Sequence, residues 1–314
     1  MSRTVLGEAR GETPQAYSPR PGVAARYAQL KQMRLDYPVD LLCRVFDVSR
    51  SGFYSWLNRK PSLRQLADER LKVAIRAVHR QSRETYGVRR MQPELSEQGF
   101  AAGQDRIGRL RRELGLRCKQ KRKCKATTNS KHDLPVAANL LEQRFEPTAP
   151  NQQWLVDITY VPTEEGWLYL AGVKDVFTCE IVGYAMDERM TQELTSRALW
   201  HAVRNKRPAA GLLHHSDRGT QYCAHAYRKL LDQFGMQASM SRKGNCHDNA
   251  PMESFWGSLK NELTHHQQYP TRAHAKAAIR EYIEIFYNRQ RRHSRLGYIA
   301  PAVFADAFKY VQVA

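Results

Sequence analysis

Residues 154–188 read WLVDITYVPTEEGWLYLAGVKDVFTCEIVGYAMDE, and the fold follows from this stretch. WLVDITYV is rich in β-branched and aromatic residues, a TEEG turn follows, and WLYLAGVKDVFT resumes the pattern. EIVGYAMDE is a third such run after another short turn. Three strands with tight connections predict an antiparallel meander. Downstream the period changes. Helical spacing covers 192–204 and 224–234, and short apolar runs at 211–215 and 236–241 read as brief strands. A helix starts at Pro251, a residue suited to a first helical position, and a longer one spans 272–289. The order βββαβαβα describes a mixed sheet with helices on both faces.

Upstream of this region the chain is helical. Residues 1–21 mix Gly, Pro, Ser and Arg without apolar period and are expected to be disordered. A helical pattern begins at Ala24 and breaks at Tyr37-Pro38. In LLCRVFDVSRSGFYSWLNR, Leu41, Leu42, Val45 and Phe46 share one face of a short helix. Asp47-Val48-Ser49 is a tight turn with Ser49 placed to cap a second helix, so the pair reads as a helix-turn-helix. A second helical unit has segments at 71–80, 88–97 and 104–114, the last closed by Gly115. Residues 126–150 form a polar connector with a short helix expected near 137–144. The expected domains are therefore 1–21, 22–60, 61–125, 126–150, 151–265 and a helical extension at 266–314.

Charge separates the two halves. The 314 residues carry 50 Lys and Arg against 31 Asp and Glu, a formal +19. Residues 1–150 hold 30 basic and 15 acidic side chains, whereas residues 151–314 hold 20 and 16. An excess so concentrated points to a polyanion, and nucleic acid is the expected partner. Between Arg106 and Lys125 there are ten basic residues and one acid, Glu113, on and just past a candidate recognition helix. Phosphate contact explains that run better than a merely solvated face. The expected DNA-facing residues are Arg50, Ser51, Arg89, Arg90, Arg106 and Arg109, with Lys121, Arg122 and Lys123 following. No apolar run reaches the roughly 18 residues of a membrane span, and no signal-peptide core opens the chain. Six scattered cysteines include no CxxC pair, and Cys118, Cys124 and His132 fit no zinc spacing well, so reduced thiols are expected.

Three acids stand out by position. Asp157 lies in mid-strand, where an unpaired charge costs several kcal/mol. Asp217 ends the fourth strand in LLHHSDRGTQY, and Glu253 sits in the first turns of the helix NAPMESFWGSLKNEL, with 35 residues between it and Asp217. Hard oxygen donors from separate elements at one end of a sheet suit Mg²⁺ or Mn²⁺, and two such ions can drive phosphodiester transfer. Each acid alone is weak evidence, and Asp175, also in a strand, is a decoy. His214 and His215 read as strand-end packing rather than metal ligands. Asn249 either caps the helix, orients Glu253 or touches DNA. Arg289, Arg291, Arg292 and His293 form a basic cluster expected on the DNA side.

The words DVSRSGFYSWL, YGVRR, APNQQWLVDITYVPT, HHSDRGTQY, SRKGNCHDNAPMESFWGSLKNEL and YNRQRRHSRLGYIAP carry a resemblance. From about Tyr37 to Phe304 the chain resembles the transposases of insertion sequence three and its relatives, within the retroviral-integrase-like DDE recombinases. The resemblance implies an α/β, ribonuclease H-like (retroviral integrase) catalytic core preceded by all-α helix-turn-helix DNA-binding domains. It implies Asp157, Asp217 and Glu253 as the catalytic, metal-binding triad and Lys260 as a contact to transposon-end DNA. Seven residues after Glu253, Lys260 returns to nearly the same helix face. The implied activity is metal-dependent cleavage of terminal inverted repeats followed by strand transfer, with two Mg²⁺ or Mn²⁺ ions per site and no nucleotide cofactor. The implied partners are transposon-end and target DNA, a second copy of the chain on DNA, and the upstream reading-frame protein. A bacterial cytoplasmic location goes with these. A hydrolysis-only nuclease and a DNA-binding repressor are the rival readings.

Overall fold

The side chains of Trp154, Leu155 and Val156 are all buried, because both faces of the strand that carries them are covered. The computed structural model describes residues 21–119, 135–242 and 246–313. The expectations for residues 1–20, for Lys121, Arg122 and Lys123, and for Cys124 and His132 lie outside the described residues. The central strand is β1 (Gln153–Thr163), flanked by β2 (Gly166–Asp175) and β3 (Ile181–Asp187) on one side. Beyond its other edge lie β4 (Leu213–Ser216) and β5 (Gln237–Met240), giving the order β3-β2-β1-β4-β5. β1, β2 and β3 pair antiparallel as the meander required, and β4 and β5 join parallel. This is the ribonuclease H-like arrangement of an integrase core.

One face of the sheet packs on α7 (Gln192–Lys206) and α9 (His225–Gln233), which follows the one-turn α8 (Thr220–Cys223). The other packs on α10 (Ala250–Glu262) and α11 (Arg272–Glu281). Two glycines set these distances. A Cβ on Gly183 would meet the Ala198 carbonyl oxygen at 2.4 Å, so α7 lies almost on the β3 backbone. A Cβ on Gly172 would meet Met252 and Trp256 of α10 at 2.7 and 2.9 Å. Gly172 is the cross-strand partner of Asp157, so the missing side chain is what lets Trp256 reach across to that carboxylate.

The long helix expected over 272–289 changes type part-way. After α11 the chain widens into a π-helix over Tyr282–Gln290, ending with the Arg291 amide donating to the Phe286 carbonyl at 2.6 Å. The wider turn puts Tyr282, Ile283, Phe286 and Tyr287 into one core, which a regular 3.6-residue period spreads further around the helix. It also frees the Asn288 amide to bond both backbone groups of Ile181 at the start of β3. The helix expected near 137–144 is absent. That segment runs along β5, with the Leu140 and Leu141 amides donating to Ser239 Oγ and the Met240 amide donating to Ala138. The last helix is α12 (Pro301–Val313).

The chain divides into two units, Met1–Glu69 and Arg70–Ala314. In the first, α1 (Val23–Met33), α2 (Val39–Val45) and α3 (Arg50–Leu57) close over Leu30, Leu42 and Phe53. Ser49 Oγ accepts from the Gly52 amide, the cap expected from sequence. Asp47 sits at φ +50°, and Arg26 donates to the Phe46 and Asp47 carbonyls at 2.9 Å, which satisfies the turn. α4 (Leu63–Gln81) crosses the boundary, and in the second unit its later turns share a core of Ile75, Met91, Leu95, Ile107 and Leu110 with α5 (Val88–Glu97) and α6 (Gln104–Glu113). Among the described residues no helix is long and apolar enough to cross a membrane.

Gly183→Ala is expected to destabilise by about 1–3 kcal/mol, because the new methyl must push α7 away. Gly257→Ala in α10, where a Cβ meets nothing within 4 Å, is expected to stabilise by about 0.5–1 kcal/mol. Urea unfolding of the two variants measures both signs.

Candidate active site

The parallel register of β1 with β4 pairs Leu155 with His215, so two residues further along both chains Asp157 and Asp217 come side by side. Asp217 lies just past the end of β4, its Oδ1 accepting from the Gly219 amide at 2.9 Å. Asp157 Oδ1 accepts from the Ile158 amide at 2.8 Å, and Oδ2 accepts from the Trp256 indole at 3.0 Å. Burial pushes the Asp157 carboxyl up to about 7, with the neighbouring Asp217 and, more weakly, Glu253 adding to the rise. That mutual electrostatic pressure ties the three acids into one field. Glu253 is exposed on the first turn of α10, with Pro251 in that turn as expected.

Three contacts fix the start of α10 relative to the sheet. Asn249 is buried, and its amide donates to the Val156 carbonyl at 3.2 Å, one residue before Asp157. It stands at the N-cap position yet makes no side-chain cap bond. Lys174 is buried in β2 and donates to the Pro251 carbonyl at 2.8 Å, and burial lowers its ammonium to about 8. Asp248 accepts from the Arg242 amide and guanidinium and from Asn139 and Gln143. The far end of α10 is held by a buried ion pair. Arg291 donates through Nε and Nη2 to both oxygens of Glu262 at 2.7–3.0 Å, and the Tyr282 hydroxyl donates to the same carboxylate at 2.8 Å.

The three acids offer only oxygen donors, the type that suits Mg²⁺ or Mn²⁺, and the Asp157 carboxyl is raised first by burial and then by the neighbouring carboxylates. Among the described residues no three His, Cys, Asp or Glu side chains stand close enough to hold an ion as placed. The histidines before Asp217 do not contribute. His214 Nε2 is 3.0 Å from the Tyr227 hydroxyl, and the His215 nitrogens meet Ser239 and Ser241 at 2.9 and 3.1 Å. Burial pushes their imidazoles down to about 3 and about 4, so both are neutral. Asp175 accepts from the Asn151 and Thr178 amides and the Thr178 hydroxyl, a turn-holding role.

The other expected contacts fall into two groups. Arg50, Ser51 and Arg89 are exposed, and Arg50 pairs with Asp40 at 3.1 Å beside the Tyr54 ring. Arg106 is half-buried on α6, and Arg109 pairs with Glu113 at 2.6 Å. Lys260 lies 5.5 Å from the Tyr160 ring centroid at the site margin. Arg90 turns inward over the Tyr86 ring at 6.0 Å. Arg291 and Arg292 depart most from expectation. Both are buried in ion pairs, Arg292 with Glu94 at 2.8 Å and with Glu97, so the basic cluster does not present a DNA face at these two positions. Sequence reading missed Lys174, Trp256 and Glu262. Lys174 carried the signal that marked Asp157, a charge inside an apolar strand. Trp256 and Glu262 carried none, because helix spacing does not separate them from ordinary core and surface positions.

Residues 147–246 match the family described as Integrase core domain, residues 66–123 match HTH-like domain, and residues 234–301 match a second Integrase core domain family. The chain is 64% identical over 273 residues to the insertion element IS600 uncharacterized 31 kDa protein of Shigella sonnei, covering 87% of this chain and 100% of that one. It is 40% identical over 284 residues to transposase InsF for insertion sequence IS3A of Escherichia coli (strain K12), covering 90% and 98%. A simian T-cell lymphotropic virus intasome in complex with PP2A regulatory subunit B56 gamma aligns at TM-score 0.43 with 16% identity, over 68% of this chain and 70% of that one. The HTLV-2 integrase catalytic core domain in complex with magnesium (trimeric form) aligns at TM-score 0.40 with 15% identity, over 51% and 99%. The upstream reading-frame partner finds no support in these matches.

Arg291→Met is expected to cost about 3–5 kcal/mol, since it strands the Glu262 charge in the core. Adding Glu262→Met should recover most of that loss. Equilibrium urea unfolding of the single and double variants measures the coupling.

Proposed function

Because the chain belongs to the insertion-sequence-three family of transposases, we propose that it cuts DNA at its element's terminal inverted repeats and joins the freed ends to target DNA. The observation that carries this reading is the placement of Asp157 beside Asp217 by strand register, with Glu253 delivered from α10 into the same field. Asp157, Asp217 and Glu253 would hold the divalent ions. Bound there, the ions supply Lewis-acid polarisation of the phosphodiester and a lowered pKa for the attacking oxygen.

The chain's own residues do the positioning. Trp256 fixes one oxygen of Asp157, while the Gly219 amide fixes one oxygen of Asp217. Lys174 and Asn249 hold the first turn of α10, which sets where Glu253 can reach. Lys260, on the same helix, supplies positive charge for a phosphate near the end. α3 and α6 supply DNA contacts, with Arg50, Ser51 and Arg106 as phosphate or base contacts. Joining two ends takes two active sites, so the working species is at least a dimer assembled on DNA.

Asp157→Asn, Asp217→Asn and Glu253→Gln should each abolish cleavage and strand transfer on end DNA while leaving end binding within about threefold, because affinity comes from the basic first half. Gel assays of labelled ends read cleavage, joining and binding separately. Near-normal cleavage by any one variant with Mg²⁺ refutes the triad, and cleavage without joined products favours a hydrolytic nuclease. Full turnover in excess EDTA refutes the metal requirement. Light scattering with and without end DNA tests assembly, and a stable dimer without DNA contradicts the DNA-templated form.

A further inference from the structure

Two sequence words about two hundred residues apart, YGVRR and YNRQRRHSRLGYIAP, meet in the folded chain. The Arg292 amide donates to the Tyr86 hydroxyl at 2.7 Å, and Tyr86 is buried. The Arg292 guanidinium donates through Nε to Glu94 at 2.8 Å, pairs through Nη2 with Glu97, and donates through Nη1 to the Tyr298 carbonyl at 2.9 Å. Glu94 and Glu97 lie on α5, which shares a core with α6 through Met91, Leu95, Ile107 and Leu110. Arg83, between α4 and α5, stacks on Phe286 at 4.8 Å and pairs with Glu281, adding a second attachment. The preceding residue, Arg291, grips Glu262 on α10, the helix that also carries Glu253 and Lys260.

Adjacent arginines thus hold opposite partners, one the catalytic helix and the other the helical domain that ends in α6. Neither is spent on DNA. Resting on the transposase reading above, we propose that Arg291 and Arg292 form a clasp that fixes the distance between the DNA segment held by the second helical domain and the phosphodiester that is cut. Arg292, Glu94, Glu97 and Tyr86 are positioning residues in this arrangement. A buried guanidinium bonded to two carboxylates and a backbone carbonyl resists sliding, because displacement leaves its charge buried and unpaired. The register of α6 on DNA is passed through α5 and the clasp to Glu253, so the cut falls a set number of base pairs from the recognised sequence.

The test uses the full chain on end DNA, with the footprint mapped in Ca²⁺ and one to four base pairs inserted between its inner part and the end. The wild type should cut at one position that moves with the insertion. Arg292→Glu should bind equally well, keep metal-dependent nicking, and scatter its cuts over neighbouring phosphodiesters. Its end-specific cut should fall at least about tenfold, since a misplacement of about 1 Å can cost on the order of a hundredfold. Glu94→Arg with Glu97→Arg in that background should restore the single position. Tyr86→Phe, which removes one hydrogen bond and no charge, should give a milder scatter if the reversal fails to fold. A wild-type cut that stays at the terminus despite the insertions, or Arg292→Glu and Tyr86→Phe variants that still cut at one position, overturns the clasp. If the wild type neither nicks nor joins DNA, the transposase reading fails instead. Hydrogen exchange then decides the clasp alone: Arg292→Glu should speed exchange in α5 but not in β1, and unchanged α5 exchange refutes it.

Discussion

Asp157 and Asp217 lie side by side because β1 and β4 run parallel and in register, and two carboxylates so placed repel each other. A fold that brings such groups together must hold them there by contacts elsewhere. Here those contacts converge on α10. Its start is tied to β1 through Asn249 and to β2 through Lys174, and its end is tied to the π-helix by Glu262 and Arg291. The sheet supplies two acids with little freedom, and the helix supplies the third from an exposed first turn.

The same helix shows how backbone and side chains divide the work. Gly172 opposite Asp157 removes the one Cβ that would keep Trp256 off the sheet, and the indole uses that space to hold the carboxylate. Ion pairs in the interior are costly unless fully bonded, and Glu262 meets that condition with bonds from Arg291 Nε and Nη2 and from the Tyr282 hydroxyl. The π-helix makes this possible, because its wider turn carries Tyr282 into the core while Arg291 still points at α10. A regular helix over the same residues places these groups on diverging faces.

Much of the chain was legible before folding. The meander, the helix-turn-helix with its Ser49 cap, and helices α3 and α5 follow from periodicity and capping that act within a few residues. Asp157 was legible because a charge in an apolar strand is expensive and therefore informative. Lys174 satisfies the same rule, yet its purpose depends on Pro251, 77 residues away. Residues 137–144 look helical by composition, but hydrogen bonds donated to Ser239 Oγ and accepted from the Met240 amide draw them out along β5.

Local chemistry along the chain thus determined most of the element types, the order of the sheet's strands in sequence and the basic first half, and it singled out Asp157 as a charge in an apolar strand, since propensity, period and charge are properties of neighbours. Only the tertiary structure decided which arginines face solvent. Arg50 and Arg292 are equally basic as letters, but one lies exposed on α3 while the other is buried between Glu94, Glu97 and the Tyr298 carbonyl. Burial, and the long-range pairing that makes burial of charge tolerable, depends on residues about two hundred positions distant, which no local pattern encodes.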